Sequence, residues 1–203
     1  MAKNWKIRKD LSIEVCGHTL FRIECTQDFK EIKAGTLGGY IEKEENLDIN
    51  AWVYGNAKVY GNAKVSEDAK VYGNAWVYGN AQVYGNARVY GDAQVYGDAQ
   101  VCGNAQVYGN ARVYGKAWVY GDKITNKDDI CYISNRYYNI TITPLHIKIG
   151  CQYHAQEAWW NFTDEQIEKM DGESALNFWK IWKEPLKQIC DAMKKEKGEK
   201  DVK

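Results

Sequence analysis

The sequence predicts a mainly β chain: a parallel β-helix of about four to five coils, with a β-hairpin cap before it and a β plus α-helical module after it. Three observations carry that reading. From Ala51 to Asp122 the chain passes through twelve six-residue units without one insertion. Each unit alternates small or aliphatic residues with polar or aromatic ones, the period of two of a short strand. After Asp122 the repeat is lost, and short apolar runs give way to aromatic residues at helical spacing.

The N-terminal segment comes first. Residues 11–25, L-S-I-E-V-C-G-H-T-L-F-R-I-E-C, alternate apolar and polar across Gly17 and predict a hairpin. A bare solenoid end exposes unpaired backbone and apolar core, so residues 1–32 are assigned to an N-terminal cap. Ile41 and Leu47 keep the phase of Val53, which starts an irregular first coil near Lys33 and gives the β-helix residues 33–122.

Within V-Y-G-N-A-x, Ala and Val face inward, x and Tyr face outward, and Gly-Asn or Gly-Asp turns the corner, since both residues tolerate positive φ. Six residues cannot bury Ala and Val alone, so units must wrap and stack at about 4.8 Å. Three units per coil give a triangular prism, and eighteen residues per coil define its rows. One row is Tyr54, Tyr72, Tyr90, Tyr108 and another is Tyr60, Tyr78, Tyr96, Tyr114, two unbroken ladders. The third, Ser66, Tyr84, Cys102, Tyr120, is broken, and the unit carrying Ser66 also replaces the usual corner with Glu67 and Asp68. That face is the candidate packing or assembly face, for a terminal segment or another subunit.

Stacked tyrosines stabilise neighbouring strands by about 0.2–1 kcal/mol per pair, and that structural role is the simpler one. The two ladders are also the candidate partner-binding surface. Trp52, Trp76 and Trp118 fall on three different faces, so they form no continuous platform for stacked bases.

Residues 123–195 are read as an α+β module. D-I-C-Y-I, N-I-T-I-T and H-I-K-I-G-C predict three short strands. Thr163 and Gln166 make a capping box, and Ala175 to Lys194 carries apolar residues at helical spacing, with Pro185 expected to kink or restart the helix. Trp159, Trp160, Trp179 and Trp182 are expected in the core of this module, with a partner-binding hot spot as the sharper reading. The Lys-rich residues 196–203 are expected to be a disordered tail.

The repeat V-Y-G-N-A-x resembles the left-handed β-helix of the hexapeptide-repeat superfamily over residues 51–122, and the left hand is what that resemblance implies. The hairpin, then D-F-K-E-I-K-A-G-T-L-G-G-Y-I-E, then runs of V-Y-G-N-A resembles a group of small bacterial and prophage-borne members over roughly residues 11–122. This implies a phage accessory protein, with inhibition of a host defence factor as its use, and implies no reaction. Relatives in the superfamily often form trimers, so a homo-oligomer, trimer or dimer, is expected. Many are acyltransferases, with a histidine base and a loop interrupting the coils. Neither occurs between Ala51 and Asp122.

The three histidines, His18, His146 and His154, all lie outside the repeats, which leaves no base at the coil surface. A non-enzymatic protein-binding scaffold is therefore expected, with no catalytic residues and no cofactor. An acyltransferase or small-molecule binder using an intersubunit groove, and a fibre or appendage module, are the alternatives. Cys151 and His154 have C-x-x-H spacing, a weak zinc candidate without a second paired motif. No Gly-rich phosphate loop is present.

Lys plus Arg equals Asp plus Glu at 27 each. Charge thus announces no nucleic-acid surface. No apolar run reaches the length of a membrane span, the first residues lack a signal-peptide core, and the six cysteines are scattered. The expected setting is the cytoplasm, the host's if phage-encoded, with a protein as partner.

Overall fold

A computed structural model describes residues 3–200, with side-chain surroundings through Lys195. The chain divides into two compact units, Met1–Lys127 and Asp128–Lys203. The first holds N-terminal antiparallel strands and a β-solenoid of about five turns. The second holds an antiparallel sheet and a long C-terminal helix.

Strands β1 (Trp5–Val15) and β2 (His18–Cys25) form the hairpin, turning at Cys16 and Gly17. The strand starts earlier than the alternation at residue 11 indicated. A register shift between Arg8 and Ser12 interrupts the period of two there, which hid the first half from a pattern reading. Trp5 is buried, and its indole N–H donates to the Asp48 carbonyl at 3.4 Å. Strand β2 pairs antiparallel with β3 (Leu37–Ile41), and β3 pairs parallel with the repeats, Ile41 opposite Val59. The hairpin thus prolongs one face of the solenoid. Gly38 and Gly39 allow this crossing: a Cβ on Gly39 would lie 2.6 Å from Val53 Cγ1 and 2.7 Å from the Ala57 carbonyl oxygen.

The repeats supply two- and three-residue strands on three faces. The first regular coil supplies β4 (Trp52–Val53), β5 (Lys58–Val59) and β6 (Lys64–Val65), followed by β7 (Lys70–Val71), β8 (Trp76–Val77) and β9 (Gln82–Val83). Then come β10 (Arg88–Val89), β11 (Gln94–Val95), β12 (Gln100–Cys102), β13 (Gln106–Val107), β14 (Arg112–Val113), β15 (Trp118–Tyr120) and β16 (Lys123–Ile124). The first face runs β1-β2-β3-β5-β8-β11-β14, the second β4-β7-β10-β13-β16 and the third β6-β9-β12-β15. Leu47 bridges Val65 on the third face, completing the irregular first coil.

Every Ala and Val of the repeats is buried, so the inward half of the pattern fills the prism. The ladder continues through the corners, where Asn56 N–H donates to the Gly73 carbonyl at 3.1 Å and Asn80 N–H to Gly97 at 2.8 Å. At the corners only the glycine takes positive φ, and Asn or Asp serves differently from the expectation. Their side chains link coils, Asn62 to Asn80 at 3.2 Å and Asn80 to Asp98 at 2.9 Å. In the divergent unit Glu67 itself takes φ +57, and its carboxylate accepts the Gly85 N–H at 2.8 Å. The last coil is one residue short: Gln106 pairs with Lys123, which places Asp122 where other units have Ala, and it is buried.

In the second unit, β17 (Cys131–Ser134), β18 (Asn139–Ile142), β19 (His146–Ile149) and β20 (Gln152–Ala155) form an antiparallel meander. The fourth strand follows a tight turn at Gly150 and lacks an apolar run. Helix α1 (Gln156–Asn161) precedes α2 (Asp164–Lys200). The capping box forms, Thr163 N–H to Gln166 Oε1 at 2.9 Å and Gln166 N–H to Thr163 Oγ1 at 3.3 Å. The helix breaks at Asp171 and Gly172 rather than at Pro185. Gly172 adopts φ +64 and ψ −157, a region essentially reserved for glycine. Pro185 stays inside the helix because Leu186 and Cys190, just beyond it, are buried in one cluster with Ile140, Ile142 and Ile147 of the sheet. The tail expected from residue 196 is helical to Lys200, and 201–203 lie outside the described residues.

Candidate functional site

The outward rows place the tyrosines as the eighteen-residue period requires. On the first face, Tyr60, Tyr78, Tyr96 and Tyr114 stack with centroids 5.2, 5.1 and 5.8 Å apart. Exposure rises along the ladder, from 5% at Tyr60 to 41% at Tyr114. Tyr60 is covered by the hairpin: His18 lies 5.1 Å from its ring, held by Glu42 at 2.9 Å, while Glu42 also accepts the Gly61 N–H at 2.7 Å. Burial pushes the Tyr60 phenol up to about 12. Lys58 sits 5.0 Å above the Trp76 ring beside this ladder.

On the second face, Tyr72, Tyr90 and Tyr108 stack almost parallel at 4.6 and 4.7 Å. Tyr54 does not continue the stack. It meets Tyr72 edge-on at 84°, with centroids 6.4 Å apart. The cause is Glu31, which accepts the Tyr54 hydroxyl at 2.9 Å and pairs with Lys70. Lys70 first, then its own backbone and Tyr54, hold the Glu31 carboxyl down at about 2. Burial first, then Glu31, raises the Tyr54 phenol. The turned ring leaves an open groove of about 410 Å³ lined by Glu31, Tyr54, Lys70, Tyr72 and Arg88. Arg88 is exposed and forms no salt bridge among the described residues.

The third row is filled unevenly. Cys102 is buried, donates towards the Val119 carbonyl at 3.7 Å, and has its thiol pKa raised by burial. Tyr84 donates to Gln100 at 3.2 Å, and Tyr120 stacks on Trp118 at 5.5 Å while remaining 48% exposed. At the Ser66 corner, Lys30 of the N-terminal segment bonds Asp68 at 2.5 Å. The three tryptophans fall on separate faces, Trp52 in β4, Trp76 in β8 and Trp118 in β15.

In the second unit, Trp159 and Trp179 are buried, whereas Trp160 and Trp182 are half-buried at the cluster's edge. Trp159 N–H donates to the Ile147 carbonyl at 2.8 Å. His154 packs edge-on against Trp159 and Phe162, and burial lowers its pKa. Cys151 is exposed. Among the described residues, no group of three or more His, Cys, Asp or Glu side chains is placed to hold a metal ion. No helix among them is long and apolar enough to cross a membrane.

Residues 81–97 and 105–121, spanning β9 to β11 and β13 to β15, match the family model described as the YdcK β-solenoid repeat. The chain carries a YdcK-type β-solenoid repeat domain. No curated protein matches the chain. Lys70 and Arg88 of the YdcK-type solenoid, and Glu31 before it, were not singled out in the sequence. Lys70 and Arg88 could have been found as the x-position row beside the second ladder. Glu31 lies outside the repeat and carries no periodic signal.

Proposed function

We propose that this protein is a non-enzymatic scaffold that binds a protein partner through the second face of its solenoid. The observation that carries this reading is the ladder Tyr72, Tyr90, Tyr108 bordered by the groove at Arg88. Tyrosine and arginine dominate binding hot spots because they offer large area with polar ends. Rings already fixed by stacking lose little further freedom on binding. The absence of histidine from the coils supports the non-enzymatic part. Six free thiols, three of them, in Cys102, Cys131 and Cys190, raised by burial, support a reducing compartment such as the cytoplasm.

A homo-oligomer, dimer or trimer, and inhibition of a host defence factor are the finer parts of the proposal, and both rest on the family resemblance. The test is affinity purification from the natural host with wild type, the double variant Arg88→Ala/Tyr90→Ala, and the control Gln82→Ala on the third face. A stoichiometric protein retained by wild type and control but lost by the double variant is expected. Retention by all three, or no stoichiometric partner, overturns the assignment. Light scattering on the purified protein reads the oligomer, and a monomer removes that part alone.

A further inference from the structure

The second unit contains a pocket of its own, separate in chemistry from the solenoid faces. Its free volume is about 50 Å³, room for one small group rather than a drug-sized ligand. The floor is formed by the buried rings of Trp159, Phe178 and Trp179. Tyr138 forms a wall, edge-on to Phe178 at 4.9 Å. Half-buried Met170 and exposed Asp171 stand at the mouth.

The mouth is shaped by the break in α2, since Asp171 and Gly172 leave helical geometry there. Asp171 is thereby held by the Tyr138 hydroxyl, which donates to Oδ2 at 2.7 Å. One carboxylate oxygen takes that bond and the charge stays at the rim. Aromatic faces attract cations through their quadrupole, and a carboxylate beside them adds a charge of the right sign. Trp179 already shows this attraction from another direction, with the Lys183 ammonium 5.7 Å from its ring centroid.

We propose that this pocket binds a small organic cation carrying an alkylated ammonium group. The methyl groups of such a cation satisfy the apolar floor, and its diffuse charge faces both the rings and Asp171. An inorganic anion is disfavoured by the same carboxylate. A neutral apolar molecule would use the floor but gain nothing from the rim.

The experiment titrates the full chain with choline, and with 3,3-dimethylbutan-1-ol as the uncharged molecule of the same shape. Tryptophan fluorescence and the indole N–H resonances of Trp159 and Trp179 are the readouts. The expected result is saturable binding of choline, with the alcohol weaker by about threefold or more, the scale of one partly screened charge. Asp171→Asn keeps an acceptor for Tyr138 and removes the charge, so it should weaken choline by a similar factor. Binding of the alcohol and the melting temperature should not change. No saturable response to choline, equal binding of the two molecules by the wild type, or an Asp171→Asn variant that binds choline unchanged overturns the proposal.

Discussion

Glu31 shows how a single residue outside the repeat reshapes a surface within it. By taking the Tyr54 hydroxyl and Lys70 together, it turns one ring out of an otherwise parallel ladder. Its folded pKa of about 2 lies below the ordinary glutamate value of 4.5, so its stabilisation is present above pH 4.5 and lost as pH falls towards 2. The side chain is 56% exposed, which limits the effect to at most about 1 kcal/mol. Glu31→Gln should therefore be less stable than wild type in urea unfolding at pH 7, with the gap closing at pH 2. A gap of equal size at both values would show that ionisation of Glu31 contributes nothing. The inward Ala and Val positions were legible in the sequence because each repeats the same environment. Glu31 was not, since its partners Tyr54 and Lys70 are 23 and 39 residues away and are brought to it only by folding.

Among the elements, the long helix departs most from its sequence pattern. Pro185 was expected to interrupt α2, yet the dihedrals stay helical there and fail at Gly172. A local rule about proline competes with burial of the turn that follows, and burial wins when Leu186 and Cys190 both enter the core. The missing N–H and the ring clash still cost up to about 3 kcal/mol. Pro185→Ala is expected to raise the stability of the second unit by about 1–3 kcal/mol, read from tryptophan fluorescence during urea unfolding. No gain would mean that the helix already bends to relieve the proline. Strands β18 and β19 were legible because each alternates isoleucine with a polar residue, and β17 because Ile130 and Ile133 bracket a short apolar run. Strand β20, Q-Y-H-A, was not, because it is selected by the turn at Gly150 and by pairing with β19 rather than by an apolar pattern of its own.

For the solenoid as a whole, periodicity makes stability and surface separable. Stability depends on neighbouring coils, and every unit offers the same Ala and Val to the interior. Deleting eighteen residues, 75–92, should keep each face in register and return a folded protein with a smaller urea m value. Deleting six, 81–86, should also fold, but would rotate everything downstream by one face. Tyr78 would then stack on Cys102 in place of Tyr96, and Tyr72 on Tyr96 in place of Tyr90. Circular dichroism should report both proteins as folded, and near-ultraviolet spectra should show reduced tyrosine stacking in each, since the eighteen-residue deletion removes Tyr78 and Tyr90 and the six-residue deletion sets Tyr78 against Cys102. Unfolding of the six-residue variant would mean that the faces are not interchangeable inside.

The pairing of β2 against β3 has one more result. Along the first face all strands from β3 onward point one way, and β2 points the other. A second copy trying to continue that face in line would meet the free edge of β1, which carries Lys6, Arg8, Lys9 and Asp10 and is broken by the register shift after Arg8. The hairpin therefore acts as a terminator for growth along the axis. An assembly of copies, were one to form, would be flank to flank, with the number of coils in each copy already set.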